Sequence, residues 1–221
     1  MKQYDAVIFD WDGTIMDSTH SIVSAIQKAC TDMGQPVPSR DQARWVIGLS
    51  LDSALYHIAP NLPADQLSDF VGRYKHHFFQ EDQTLTLFDG IRPLLGELRE
   101  QRVKLAVATG KGRAGLDRVL QASALDAYFS MTRCADESRG KPNPDMLFDI
   151  MNSLALDPER VLMVGDTTHD IHMAHNAGVD SVAVSYGAHD VDTLQSAAPT
   201  VLVHSVDEMR GWLSERLVSP V

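Results

Sequence analysis

The sequence predicts an α/β fold, a doubly wound (Rossmann-like) parallel sheet that carries an inserted, small, all-helical cap domain. Three observations lead there. Short all-apolar runs recur at Ala6–Phe9, Val103–Val107, Val161–Val164, Val182–Val184 and Val201–Val203. Runs of this length, rich in Val and Ile and bounded by Gly or polar residues, suit strands buried on both faces of a parallel sheet. Helical patterns lie between them, and that alternation implies right-handed βαβ units. The third observation is an interruption, because residues 17–86 carry helix signals and no clear strand.

Taken in order, Tyr4–Phe9 is the first strand and the DWDGT segment after it a turn. Ser18 or Thr19 can cap a helix ending near Gly34. Ser39 and Gln42 have the spacing of a capping box, and Leu67, Phe70, Val71, Tyr74 and Phe78 recur at helical spacing within Asp65–Gln80. His76, His77 and Phe79 lie on that helix, and core packing is expected of both phenylalanines. The helices expected beyond the insert are Ile91–Gln101, Arg113–Gln121 and Asp145–Leu154. A last one, opened by the Ser205–Glu208 capping box, runs to about Leu217. These boundaries divide the chain into a core of residues 1–16 and 87–221 and a cap of residues 17–86, with hinges at Met16–Thr19 and Thr84–Gly90. Ligands of doubly wound sheets bind at the carboxyl ends of the strands, so the insert is expected to sit over the site.

Composition narrows the function. The chain has 221 residues, 44% hydrophobic and 22% charged, which is ordinary for a globular protein. Nineteen Lys and Arg face thirty Asp and Glu, a formal charge of −11. With no excess of cations to neutralise phosphates, nucleic acid is excluded as a non-specific partner. No apolar stretch is long enough to span a membrane and the first residues do not resemble a signal peptide, so a cytoplasmic protein without membrane contact is expected. Cys30 and Cys134 are far apart and fit no zinc framework. A monomer or weak homodimer is expected.

Four groups fall at expected strand ends: Asp10-Trp11-Asp12-Gly13-Thr14, Thr109-Gly110-Lys111, Lys141-Pro142 and Gly165-Asp166-Thr167-Thr168-His169-Asp170. Each alone has an ordinary explanation, since Asp, Thr and Gly form turns and cap helices. Together they bring four carboxylates, a hydroxyl and a lysine to one crevice, which calls for a bound cation and a bound anion.

The ordered set DxDGT, T-G, K-P and GDxxxD, with a helical insert after the first motif, resembles the haloacid dehalogenase superfamily over nearly the whole chain. The resemblance implies a hydrolase of phosphoric monoesters that uses Mg²⁺. Asp10 would be the nucleophile and Asp12 the general acid and base. Asp10, Asp166 and Asp12 (through its backbone carbonyl) would hold Mg²⁺. Thr109, the Gly110 amide and Lys141 would hold the phosphoryl oxygens. Asp170 would order Lys141 or a metal-bound water. The second aspartate favours phosphoryl transfer over dehalogenation, because a halide leaving group needs no proton.

Within the cap, Trp45–Ser50 resembles the cap loop of phosphoglycolate phosphatases and β-phosphoglucomutases. The mutases carry an Arg where this chain has Leu51, which disfavours a mutase. Arg44, Gly48 and Lys75 are the candidate specificity residues, and a small phosphorylated metabolite such as phosphoglycolate is the expected substrate. Outside the enzymes, a phospho-aspartate signalling domain is the alternative, but such domains lack a helical insert after the first strand. His169, His172 and His175 suggest a metal only superficially. Their i, i+3, i+6 spacing spreads them around the helix, and surface or cap contact is the expected role. Lys111-Gly112 does not have P-loop spacing.

Overall fold

The computed structural model describes residues 3–81 and 86–217. The strands are β1 (Ala6–Phe9), β2 (Lys104–Thr109), β3 (Met131–Cys134), β4 (Val161–Gly165), β5 (Asp180–Val184) and β6 (Val201–Val203). They pair in parallel in the order β3-β2-β1-β4-β5-β6. The strand order reverses between β1 and β4, and the crevice there is where a doubly wound sheet binds ligands.

Alternation along the strands divides the core into two layers. Val7, Phe9, Leu105, Val107, Leu162 and Val164 face one layer, covered by α5 (Ile91–Glu100), α6 (Arg113–Ser123) and α10 (Val206–Ser214). Ala6, Ile8, Ala106, Ala108 and Met163 face the other, covered by α7 (Asp145–Leu154) and α8 (Thr168–Ala177). The small residues on this second face let α7 and α8 approach closely. Strand β3 has no counterpart among the expected strands, because its MTRC segment is only half-buried and interrupts its apolar residues with Thr and Arg. The short α9 (Val191–Ser196), which is capped by Asp190, has none among the expected helices.

Between β1 and α5 lie α1 (Thr19–Asp32), α2 (Arg40–Trp45), α3 (Leu51–Ile58) and α4 (Leu67–Glu81). They enclose their own apolar cluster, which includes Ile22, Ile26, Val46, Leu55, Phe70 and Phe78. The Ser39–Gln42 capping box forms as expected. Two expectations fail. Ser18 precedes α1 but does not cap it, because its hydroxyl donates to Asp12 instead. Phe79 is exposed and lies beneath the Arg118 guanidinium, whereas Phe78 is buried. The chain leaves the core beside a bridge between Met16 and Leu87. Of the second expected hinge, residues 84 and 85 lie outside the described residues. No described helix is long and apolar enough to cross a membrane.

Candidate active site

Register puts the chemistry at one end of the sheet. Phe9 pairs with Val107 on one side and Val164 on the other, so Asp10 and Asp166 leave adjacent strands at the same level. The Asp10 N–H donates to the Val164 carbonyl and fixes the first turn of the exit. One carboxylate oxygen from each of Asp10, Asp166 and Asp170 lies within 4.8 Å of the others, and all three residues are buried. Lys141, also buried, follows β3 on a cis Lys141–Pro142 peptide. Its Nζ lies 2.8 Å from Asp10 Oδ1 and 2.7 Å from Asp170 Oδ1.

The remaining oxygens are held individually. Asp166 accepts from the Thr14 hydroxyl at 2.8 Å and the Ala188 N–H at 2.7 Å. Asp170 Oδ2 accepts from the Thr167 hydroxyl and N–H, which closes the capping box of α8. Asp10 Oδ2 is buried with no partner among the described residues. Asp12 Oδ1 accepts from Ser18 Oγ at 2.6 Å, and its Oδ2 pairs with Lys111 Nζ at 2.9 Å. Thr109 is buried at the end of β2, where its hydroxyl accepts from the Lys111 N–H.

Charge and burial act together on this cluster. Burial pushes the Asp10 carboxyl up to about 7, against the pull of Lys141, and Asp170 adds to the rise. Asp166 is raised well above the carboxylate range by the same desolvation and by Asp10. Burial works against the Lys141 ammonium, but Asp10 and Asp170 outweigh it and hold the group above its ordinary value. Four carboxylates thus face two ammonium groups, Lys141 and Lys111. The residual negative charge and the cluster of hard oxygen donors fit a divalent cation.

The structure brings Asp10, Asp12, Thr109 and Gly110 to the wall of one cavity of about 460 Å³, which Gly48, Leu51 and Lys75 also line. Gly48 reaches over the sheet with φ +87°, and a Cβ there would lie 3.8 Å from Asp10 Oδ2. Lys75 is exposed at the rim. Arg44, which the sequence reading offers as a specificity residue, is not among the lining residues of this cavity. Its guanidinium donates to the Gly187 and Ala188 carbonyls, so it ties the helical segment to the loop after β5. Trp45 strengthens that tie, because its carbonyl accepts from His169 Nε2 at 2.8 Å and His189 Nε2 at 3.1 Å. His189 Nδ1 accepts from the Thr168 N–H, which fixes its tautomer. His169 is therefore a cap contact, as expected. His172 is exposed, and His175 donates to the Ala198 carbonyl.

Sequence reasoning misses the Ser18 and Lys111 contacts to Asp12 and the part played by the loop after β5. Lys111 reads from its spacing only as a poor P-loop match, and Tyr186–His189 carries no motif. The acidic loop before Lys141, to which no motif belongs, is structural. Asp136 accepts from the Arg113 N–H at the start of α6, and Glu137 pairs with the Arg113 guanidinium.

A doubly wound sheet with buried carboxylates at its switch point and helices over them suits chemistry on a bound anion and cation, and known proteins that resemble the chain narrow the class. The model of the family described as "Haloacid dehalogenase-like hydrolase" matches residues 7–184. The "Probable phosphatase IndB" of Dickeya dadantii is 37% identical over 212 residues, 93% of this chain and 91% of that protein. The "Tyrosine-protein kinase PtkA" of Mycobacterium tuberculosis is 35% identical over 209 residues, 92% of this chain and 70% of that one. The crystal structure of a hydrolase from Pseudomonas syringae matches 96% of this chain and 99% of its own, with TM-score 0.88 at 22% identity. The chain belongs to the haloacid dehalogenase-like hydrolases. Within that family it is a phosphatase, a hydrolase acting on phosphate esters.

Proposed function

We propose that the protein is a Mg²⁺-dependent phosphatase of small phosphomonoesters that works through an aspartyl phosphate on Asp10. The observation that carries this reading is the Asp10 carboxylate. One oxygen is paired with buried Lys141, and the other is buried, unpartnered among the described residues and next to Gly48 at the cavity. That second oxygen is the nucleophile. It attacks phosphorus, the bond to the alcohol oxygen breaks, and Asp12 gives that oxygen its proton. Asp12 then takes a proton from the water that attacks the aspartyl phosphate, which releases inorganic phosphate and restores Asp10.

Ser18 and Lys111 orient the Asp12 carboxylate for both transfers. Lys141, the Thr109 hydroxyl and the Gly110 N–H receive the phosphoryl oxygens, where charge spreads in a loose transition state. Asp170, with one oxygen on Lys141 and the other on Thr167, positions the ammonium group. Asp10, Asp166 and the Asp12 carbonyl would hold Mg²⁺, which would supply charge neutralisation for the phosphate. Residues 17–86 act as a cap over a core of residues 1–16 and 87–221. Gly48 and Lys75 contribute to substrate choice, and Arg44 holds the cap in place.

The test is turnover of a panel of phosphate esters, with phosphoglycolate, sugar phosphates and pyrophosphate included. Activity should vanish with chelator and return with Mg²⁺. Asp10→Asn should abolish turnover at unchanged circular dichroism, because an amide cannot form the acyl phosphate. Substantial activity in pure Asp10→Asn protein overturns the mechanism.

A further inference from the structure

We propose that the alcohol portion of the substrate is apolar, an alkyl or aryl group, and carries no second anionic group. The inference rests on the phosphatase reading and deepens it. It comes from the polarity of the cavity, which changes sharply from one end to the other. The end at the sheet presents Asp10, Asp12, Thr109, Gly110 and Lys111. The opposite wall is hydrocarbon, formed by Ile22 and Ile26 of α1, Leu55 and Ile58 of α3, and Phe70 and Phe78 of α4.

The cap loop is seated directly on the sheet end of this cavity. Gly110 lies so close under the cap loop that a Cβ there would be 2.5 Å from the Gly48 carbonyl oxygen and closer still to that of Leu49. Arg44 and Trp45 tie the cap to the core on the β5 side. The 460 Å³ between them is the size of a cavity for a small molecule with one polar end.

A carboxylate or second phosphate on the substrate would need a cation within the apolar wall, and the cations that line the cavity, Lys75, Lys111 and Arg118, are engaged elsewhere or open to solvent. Lys111 is paired with Asp12 and lies over the Phe78 ring at 4.7 Å. Arg118 covers the Phe79 ring, Arg44 bonds to core carbonyls, and Lys75 is exposed at the rim. Leu51 also faces the cavity. An anion pressed against this wall would lose its hydration without a partner, whereas a methylene group gains by leaving water.

The test is calorimetric binding of a methyl-to-hexyl series of n-alkylphosphonates to the Mg²⁺-loaded protein, with turnover of n-alkyl phosphates, phosphoglycolate and pyrophosphate measured alongside. Kd should fall about fourfold per added methylene, the equivalent of about 0.8 kcal/mol, until the chain fills the cavity. kcat/KM of the alkyl phosphates should follow, and Ala54→Asp, on the apolar wall, should flatten both trends. A flat series, with phosphoglycolate or pyrophosphate as the best substrate, overturns the apolar assignment and leaves the phosphatase reading standing. Length-dependent phosphonate binding without turnover of any ester overturns the phosphatase reading and leaves the apolar cavity.

Discussion

Gly110→Ala isolates the seating of the cap from the chemistry beneath it. The methyl group would point at the carbonyl oxygens of Gly48 and Leu49, lying 2.5 Å from the first. An ordinary non-bonded separation is about 3.5 Å, so the cap loop must retreat by roughly 1 Å. The obstacle is backbone on both sides, which no rotamer change relieves. A misplacement of about 1 Å in an active site costs about a hundredfold in rate, or about 2.7 kcal/mol of transition-state stabilisation. The Gly110 N–H stays in place and β2 is untouched, so thermal stability should change by less than about 1 kcal/mol. The assay is kcat/KM on the best ester and on acetyl phosphate, with a melting curve for each protein. The better ester should lose about a hundredfold, and acetyl phosphate, too small to need the cap wall, much less. Wild-type kcat/KM for Gly110→Ala on the best ester refutes the seating argument. Gly48 is the poorer probe, because with φ +87° any side chain there is strained and points toward Asp10. Its substitution would impair both substrates together.

Three further expectations follow from the site. Asp12→Asn keeps the Ser18 contact but has no proton to give, so alkyl phosphates should lose about 10² to 10⁴ in kcat while nitrophenyl phosphate loses far less. Equal losses on the two esters argue against an acid role. Lys141→Ala leaves Asp10 and Asp170 buried without their common cation and should cost about 3–5 kcal/mol of stability at pH 8, read by denaturant titration. Burial lowers the His169 imidazole to about 4, so it stays neutral in the folded protein while the unfolded chain takes up a proton below about 6.5. Its contribution is present above about 6.5 and is lost as pH falls toward 4, by about 2 kcal/mol at pH 5. Asp10 and Asp166, raised by burial, act in the opposite direction. The measurement is therefore the difference between wild type and His169→Gln at pH 7 and pH 5, in which the wild type should lose more.

The four motifs and the strands that carry them are legible because both rest on local rules. An apolar run buried on both faces reads as a strand wherever it falls, and Asp, Gly and Thr directly after it mark the exit. Residue order alone therefore assigns DWDGT, Thr109-Gly110, Lys141-Pro142 and the Asp166–Asp170 segment to the correct end of the sheet. The half-exposed β3 carries no such pattern, so only pairing with β2 makes it a strand. The same limit applies inside the cap. Arg44 and Lys75 are both cationic residues on helices, and nothing in their spacing says that one bonds to Gly187 and Ala188 while the other stands at a cavity rim. Ser18 stands at a helix start, where capping is its local preference, and the buried carboxylate of Asp12 outcompetes the helix N–H groups for its hydroxyl. Lys111, His169, His189 and the Tyr186–His189 loop reach the site only through contacts between residues distant in sequence. Residue types and short-range periodicity determined the sheet, its exits and the aspartates. Packing of the helical segment against the sheet decided which side chains line the cavity, because that depends on contact across two surfaces that no local pattern encodes.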